Sequence, residues 1–594
     1  MKNHLFPNHR VLVDVAMGRA PAELVIRKGQ WVCVQSGEII PDTDIALRDG
    51  WIAYVGPDAR HTIDSHTQIL EAEENYMVPG LLDGHMHVES GMLTVTEFTR
   101  AVIPHGTTGM FVDPHEIANV FGLKGVRWMV EQAAQQPIHI YVQVPSCVPS
   151  APGFETPGAT LSIEEIKEAI QWPGVIGLGE MMNFPGVIDN SDKPHSEMVA
   201  ARIEGKVIGG HYASQDLGLP FHGYAAGGPQ DDHEGTRLED ALARARQGMR
   251  VMMRLGSAWH DVAAQVRAVT ELGLDSRHFI LCTDDSHSDT LVSEGHMDRV
   301  IRHAISHNLP PMKAIQMATV NTAEYFGLGD QIGMIAPGRF ADIILVKDLS
   351  DFQVDTVIAR GRILKKNGQV AVELPESDYP DWLAHSVHLP RLLQKKDFCI
   401  PAKRESKVTA NVIEVIENQA PTRHLHLPIQ VQNGEIKADI QQDIAKLALL
   451  ERHKGTGRIQ MGLVKGFGFN ESCAVASTVA HDCHHMIVVG TDDENMVVAA
   501  NHLAAVGGGQ IVVKNGEVIG LVELVIAGLM SKERAEVVSK KAATVLNGYR
   551  ACGCFLNNPN MQLSLLSLVV IPELRISDLG LFDVTRFEFL PIIE

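Results

Sequence analysis

Residues 81–90, LLDGHMHVES, place two histidines two positions apart at the end of an apolar run. Side chains alternate along a β-strand, so residues i and i+2 project from the same face. If this run is a strand, His85 and His87 point into one cavity and can hold one metal ion together. Histidines at this spacing are also common without a metal, so the prediction depends on what the rest of the chain supplies.

This stretch belongs to the first of eight apolar runs between residues 76 and 330, and helix-like segments separate them. Such alternation is typical of α/β proteins and predicts a (β/α)8 TIM-like barrel, although a doubly wound sheet has the same local pattern. In at least five of the runs a His, Glu or Asp lies at or beside the carboxyl end, where barrels place their active sites. This favours the barrel. The predicted helices include residues 117–136, 162–171, 237–248, 260–273 and 294–308.

The strand ends supply further metal-ligating side chains. Four histidines and two carboxylates suit two borderline divalent ions better than one tetrahedral site, and Glu180 would bridge the two ions. Two bridged cations lower the pKa of a shared water, and Asp284 is placed to move its proton. A helix cap or an ion-paired acid is the alternative for Asp284, and the adjacent Asp285 fits either role. The predicted ligands are His85, His87, Glu180, His211, His233 and Asp284.

The segments on either side of the predicted barrel form further modules. Within residues 1–75, short apolar runs with Gly and Asp turns predict a small antiparallel sheet, and a similar stretch falls within 331–390. We interpret the two as one module that the barrel at 76–330 interrupts. Beyond a connector rich in proline and charge, residues 391–594 predict a separate α/β domain.

The composition excludes several classes of partner. The 72 acidic residues outnumber the 51 basic ones, and the net charge of −21 would repel a phosphate backbone, so we expect no nucleic acid. No segment has about 18 apolar residues without a charge, and the first residues lack a signal-peptide pattern, so we expect a cytoplasmic protein without a membrane partner. The eight cysteines lack the C-x-x-C spacing of structural zinc sites.

Several longer stretches resemble the amidohydrolases and, within them, the adenine deaminase family. Many amidohydrolases share the H-x-H pair and APGRFADIILV, whereas DPHEIANV, EMMNFPGV and VAHDCHHMIVVG are closer to the adenine deaminase family alone. The resemblance implies a barrel, a split β-sandwich from residues 1–75 and 331–390, and a carboxyl-terminal domain. It also implies that the six predicted ligands hold two divalent ions, with manganese expected first and iron or zinc as alternatives. We further expect a homodimer and a small-molecule purine substrate.

The resemblance implies that metal-activated water replaces the amino group at C6 of adenine, yielding hypoxanthine and ammonia. The ring must gain a proton at N1, so a nearby acid is required. Glu116 and His115 in VDPHEIAN are the candidates for this catalytic acid, with Glu89 as another. We also expect Glu89, Asp113 and Arg254 to contact the substrate. The competing interpretation of this loop is a capped helix start, in which an aspartate precedes a proline.

Two stretches depart from the family pattern. Leu255 stands where the family's REGSA motif has a glutamate, and the residues after His211 lack the usual Gly-His-x-Pro-Gly. Neither change removes a predicted ligand, but both bear on which substrate is bound. The alternatives are therefore an amidohydrolase acting on another purine or on a cyclic amide, and a catalytically silent metal-binding protein. The zinc nucleobase deaminases that use P-C-x-x-C are excluded, because that motif is absent.

The carboxyl-terminal domain has its own group of polar residues, which we interpret as a polar turn between strands. A second metal site or a substrate contact is the alternative, but the sequence identifies no partner ligand for it. The residues of this group are His481, Asp482, His484 and His485.

Overall fold

The structure is a computed structural model that describes residues 8–375, 379–402 and 406–594. Helix α1 (His9–Ala16) packs on the first sheet, whose opening strands are β1 (Leu24–Cys33), β2 (Glu38–Arg48), β3 (Trp51–Gly56), β4 (Gln68–Glu71) and β5 (Tyr76–Pro79). Asp49 and Gly50 form the two-residue turn between β2 and β3, and both have positive φ angles, 52° and 83°. This is the conformation that tight hairpins require, and an Asp-Gly pair adopts it readily.

Parallel strands follow, and the chain between and after them is largely helical. The strands are β6 (Leu81–His87), β7 (Thr107–Val112), β8 (His139–Val144), β9 (Val175–Met181), β10 (Val207–Gly210), β11 (Asp231–Asp232), β12 (Arg250–Arg254), β13 (Phe279–Cys282) and β14 (Asp284–Asp285). They pair in the orders β10-β9-β8-β7-β6-β14 and β11-β12-β13. Only Thr283 separates β13 from β14, so the end of one sheet continues directly into the other. All eight predicted apolar runs contain strands, and the first divides between β5 and β6.

Helices surround these strands. They are α2 (Val95–Val102), α3 (His115–Phe121), α4 (Leu123–Ala133), α5 (Ile163–Ala169), α6 (Phe184–Ile188), α7 (Asp192–Ile203), α8 (Leu219–Gly227), α9 (Leu238–Arg246), α10 (Val262–Gln265), α11 (Arg267–Thr270), α12 (Ser288–Ser293), α13 (Met297–Ser306), α14 (Pro311–Met317) and α15 (Val320–Tyr325). The single helix predicted over 117–136 is wrong, because Gly122 has a φ of +61° and breaks it between α3 and α4. The predicted helix 260–273 is likewise two short helices, α10 and α11.

The chain then returns to the first sheet through β15 (Ile343–Val346), β16 (Val354–Ala359), β17 (Arg362–Lys366) and β18 (Gln369–Val370). The order is β18-β17-β16-β15-β5-β1-β2-β3, and β15 runs antiparallel to β5. The two predicted antiparallel segments therefore share one sheet. At its edge with the parallel strands, Nε2 of His139 lies 2.9 Å from Oδ2 of Asp342.

The carboxyl-terminal part contains a ten-stranded and a three-stranded sheet. Its strands are β19 (Ile400–Pro401), β20 (Lys407–Val415), β21 (Thr422–Gln432), β22 (Glu435–Ile436), β23 (Ile444–Leu450), β24 (Ile459–Lys465), β25 (Cys473–Ser477), β26 (Met486–Gly490), β27 (Gly509–Lys514), β28 (Glu517–Glu523), β29 (Leu574–Ser577), β30 (Gly580–Asp583) and β31 (Glu588–Leu590). Its helices are α16 (Asp493–Val506), α17 (Ala535–Ala551) and α18 (Pro559–Leu565).

This part packs directly on the parallel strands and their loops. The amide of Ser531 donates to the carbonyl of Met92 at 2.8 Å, and the amide of Thr156 donates to Oδ1 of Asp578 at 2.9 Å. A loop of the carboxyl-terminal part therefore lies close to the strand ends that carry the predicted ligands. None of the helices in the described ranges combines the length and apolar character needed to cross a bilayer.

Candidate active site

Six predicted ligands from five strand ends meet in one buried cluster. Nε2 of His87 lies 3.1 Å from Oδ1 of Asp284 and 3.6 Å from Oε1 of Glu180. Nε2 of His85 lies 3.6 Å from Oδ1 of Asp284. The other Glu180 oxygen, Oε2, lies 3.1 Å from Nε2 of His233 and contacts Nδ1 of His211. Glu180 therefore stands between two groups of histidines, as a bridging carboxylate does.

The donor set fits divalent metal ions. Three overlapping groups have ligand atoms within 4.8 Å of one another: His85, His87 and Glu180; His85, His233 and Asp284; and Glu180, His211 and His233. Within the described part of the chain, the buried Nε2 of His85 has no hydrogen-bond partner. Such an atom costs free energy unless a ligand satisfies it, and imidazole and carboxylate suit zinc, iron and manganese.

Backbone contacts select the ring nitrogen that faces the cluster. Nδ1 of His87 donates to the carbonyl oxygen of Asp113 at 2.7 Å, so the lone pair of a neutral His87 lies on Nε2. The carboxylate of Asp113 accepts from the amide of Glu180 at 2.8 Å. A Cβ on Gly179 would lie 2.2 Å from that carboxylate, so the close approach requires glycine there. Asp113 thus orients two ligands, and these contacts favour a positioning role over the predicted substrate contact.

The cluster shifts the pKa values of its own members. Burial and the neighbouring His233 hold the pKa of His85 well below its usual range, so His85 is a neutral imidazole, the form that binds metals. Burial opposes protonation of His87, but its hydrogen bond to Asp284 raises the pKa of His87 to about 10. Although burial alone would raise it, contact with His87 and the charge of Arg254 hold the pKa of Asp284 well below its usual range. Asp284 is therefore an anion, as a ligand or a base must be.

Arg254 holds the second oxygen of Asp284. Its Nη1 donates to Oδ2 of Asp284 at 2.9 Å, and its Nε donates to Oδ2 of Asp261 at 2.9 Å. Nη1 also contacts Glu234, whose Oε1 lies 3.6 Å from Nε2 of His233. The sequence predicts a substrate contact for Arg254, and in the structure three carboxylates surround its guanidinium group. Glu234 and Asp261 are not among the residues predicted from the sequence, although Glu234 directly follows the predicted ligand His233.

The candidate acids lie beside the metal-ligating cluster. Burial and the neighbouring Glu89 carboxylate raise the pKa of Glu116 to about 8, so Glu116 holds a proton near neutral pH. Burial also raises the pKa of Glu89, whose Oε1 accepts from the amide of Ile117 at 3.3 Å. His115 is directed toward the ligands, because its Nδ1 lies 3.1 Å from Oε1 of Glu180. The geometry therefore favours Glu116 over His115 as the proton donor.

The two stretches that depart from the family pattern, at Leu255 and after His211, both make structural contacts within the fold. Leu255 is buried in the main hydrophobic core, and its amide donates to the carbonyl of Cys282 at 3.0 Å. In the segment after His211, the hydroxyl of Tyr224 accepts from the amide of His211 at 2.8 Å and donates to the carbonyl of Met181 at 2.9 Å. Tyr224 thus ties the end of β10 to the end of β9, and the altered segment keeps His211 in place.

The carboxyl-terminal polar group reaches the same site. Nδ1 of His481 lies 3.8 Å from Oε1 of Glu116, and ligand atoms of Glu116, His481 and His484 all lie within 4.8 Å of one another. The sequence identified no partner for this group, and the structure supplies Glu116 from the other domain. No local signal could have revealed this, because the two segments are far apart in the chain.

The parallel strands with their buried His, Glu and Asp cluster define a metal-dependent hydrolase of the amidohydrolase class. Residues 76–364 match the amidohydrolase family, and residues 419–588 match the adenine deaminase C-terminal domain. The chain is 59% identical over 582 residues to adenine deaminase 3 of Rhizobium meliloti (strain 1021), covering 98% of each chain. It is 47% identical over 585 residues to adenine deaminase of Moorella thermoacetica (strain ATCC 39073 / JCM 9320), again covering 98% of each. The chain therefore belongs to the adenine deaminase family.

Similar solved structures are more distant. One is a beta-aspartyl dipeptidase from Fervidobacterium islandicum AW-1, with 16% sequence identity and a TM-score of 0.46, covering 59% of this chain and 98% of the dipeptidase. Another is an adenosine deaminase from Xanthomonas campestris with bound zinc, with 16% identity and a TM-score of 0.43, covering 59% of this chain and 94% of that protein.

Proposed function

We propose that this protein deaminates adenine hydrolytically to hypoxanthine and ammonia. The observation that carries the proposal is the convergence of six metal-ligating side chains next to a buried, protonated Glu116. The relatives that match nearly the full chain are named adenine deaminases, which supports adenine as the substrate. In the reaction a C6–O bond forms from water, the bond between C6 and the exocyclic nitrogen breaks, and ammonia leaves.

The metal centre would consist of two divalent ions held by His85, His87, Glu180, His211, His233 and Asp284. Manganese is the first candidate and iron or zinc the alternatives, since all three accept imidazole and carboxylate ligands. Bound ions of this kind lower the pKa of water and so supply hydroxide near neutral pH. The division of the Glu180 oxygens between two histidine groups supports a pair of ions.

Protein side chains would carry the protons. Asp284 takes a proton from the attacking water and passes it to the leaving nitrogen, and Arg254 holds its carboxylate in one orientation. Glu116 donates a proton to N1 of the ring, for which its raised pKa suits it. The second proton of the attacking water is released to solvent as the C6 carbonyl forms, and Glu116 regains a proton from solvent. Glu89 shares the same buried region and would accept a hydrogen bond from the substrate, because its Oε2 has no partner within the described ranges.

Several further features belong to this proposal. The two parallel sheets, which are joined at Thr283 between β13 and β14, would form one closed (β/α)8 barrel. In the sequence this barrel would lie between the two halves of a split β-sandwich, residues 1–75 and 331–390. The barrel would span 76–330, and residues 391–594 would form one carboxyl-terminal α/β domain. We also propose a homodimer that works in the cytoplasm.

The test is reconstitution of metal-free protein with manganese, iron or zinc, followed by assay of ammonia release. The panel contains adenine, other purines and cyclic amides. We expect adenine to be the preferred substrate, and a strict need for added metal. Preference for another purine or a cyclic amide would instead identify a different amidohydrolase, and bound metal without turnover of any compound would identify a silent homologue.

A further inference from the structure

The region around Glu116 and the carboxyl-terminal polar group contains buried polar atoms that lack hydrogen-bond partners in the described ranges. Within the described residues, the buried atoms without a hydrogen-bond partner in this region include Nε2 of His484 and Oε2 of Glu89. Leaving a buried polar group without a partner is energetically unfavourable, so these atoms indicate a ligand that supplies partners. His484 itself is fully buried and has a φ of +52°, a conformation that residues other than glycine rarely adopt.

The backbone fixes which nitrogen of His484 carries the proton. The amide of Ala480 donates to Nδ1 of His484 at 3.2 Å, and an amide can only donate, so Nδ1 must be the acceptor. Burial and the neighbouring His481 hold the pKa of His484 well below its usual range, so the ring is neutral. The single ring proton therefore lies on Nε2, the nitrogen without a partner.

This tautomer excludes a further metal site. The spacing of Glu116, His481 and His484 would accommodate a cation. A protonated Nε2 has no lone pair to offer a cation, however, and Nδ1 is already occupied by the Ala480 amide. The site thus presents an N–H donor from His484 and a carboxyl group from Glu116, with the imidazole of His481 beside them. A ligand with two neighbouring acceptor atoms, one of which can also take a proton, fits the first two groups.

An aminopurine has this arrangement on one edge. N1 and N3 are ring nitrogens separated by one carbon, and both are hydrogen-bond acceptors. We propose that Nε2 of His484 donates a hydrogen bond to N3 of the bound purine while Glu116 faces N1. The carboxyl-terminal domain would then take part in substrate recognition. This assignment rests on the proposed function, because it takes adenine as the ligand. It gives the carboxyl-terminal domain a role in substrate recognition that no sequence motif shows.

The test compares His484→Gln and His484→Met, which have similar lengths but differ in the ability to donate. Each is assayed with adenine, 3-deazaadenine, which lacks N3, and 7-deazaadenine, which lacks a nitrogen on the opposite edge. We expect the wild-type preference in kcat/KM for adenine over 3-deazaadenine to fall by about tenfold in His484→Met and to be partly kept in His484→Gln. The preference for adenine over 7-deazaadenine should be the same in all three proteins.

Metal content and thermal unfolding are measured for every variant, and His426→Gln, at an exposed histidine of the same domain, is the matched control. A purely structural role would lower the activity of His484→Met equally with all three compounds and leave the ratios unchanged. That result, or a change confined to 7-deazaadenine, overturns the proposal. If wild-type protein fails to deaminate adenine at all, the proposed function fails instead, and the two failures are thereby distinguished.

Discussion

His87 and His484 are both buried histidines near the same site, yet backbone contacts give them opposite chemistry. A carbonyl oxygen accepts from Nδ1 of His87, so Nε2 is the nitrogen that can give up its proton and present a lone pair to a metal ion. An amide donates to Nδ1 of His484, so that ring presents an N–H on Nε2. One contact suits a metal ion and the other an acceptor atom of a ligand. Residue type therefore identifies neither role, and the backbone partner decides it.

The largest effect is expected from Glu180→Gln. Both oxygens of Glu180 face histidines, and an amide keeps the shape but loses the charge that a pair of cations requires. We expect loss of bound metal and a fall in kcat/KM of more than about 10³-fold. Elemental analysis and an ammonia assay measure the two effects. Glu204→Gln, at an exposed glutamate just after α7, should keep both metal and activity. Full metal content in Glu180→Gln would contradict the bridging role.

The second-largest effect is expected at Asp284 and not at the adjacent Asp285. Asp284→Asn should keep the fold but lower kcat by about 10³-fold, because an amide cannot accept the proton of the attacking water. Asp285→Asn is the matched control. The Asp285 carboxylate accepts from the amide of Ala258 at 3.0 Å, and an asparagine oxygen can do the same. Equal losses of kcat in the two variants would show that the sequence-based choice of Asp284 is wrong.

His87 and His484 also show which parts of the site could be predicted from the sequence and which could not. His85 and His87 were predictable because strand alternation is a local rule, and Glu180 because it ends an apolar run. The break at Gly122 was missed because a helical pattern continues on both sides of it. The proximity of His484 to Glu116 was missed because it depends on how segments far apart in the chain pack together, which no local sequence pattern shows.

A smaller effect is expected at Glu116, together with a change in pH dependence. Burial and Glu89 raise the pKa of Glu116 to about 8, so the group is a proton donor below that pH and loses its proton above it. Activity that depends on this donor should fall as pH rises through about 8. Glu116→Gln should lower kcat by about 10²-fold and remove this decline. A pH profile of kcat for both proteins measures it, and an unchanged decline in Glu116→Gln would assign the proton to another group.

The smallest effect should come from Asp113→Ala, and it tests whether Asp113 orients ligands or contacts the substrate. The substitution leaves the amide of Glu180 without its partner but keeps the carbonyl that holds Nδ1 of His87. Loss of such an outer contact lowers metal affinity by about 10- to 100-fold. We expect weaker metal binding in a chelator competition, and near-normal KM for adenine once metal is saturating. Asp113→Asn, which keeps an acceptor oxygen, should restore most of the affinity. A raised KM at saturating metal would instead return Asp113 to the substrate-binding role predicted from the sequence.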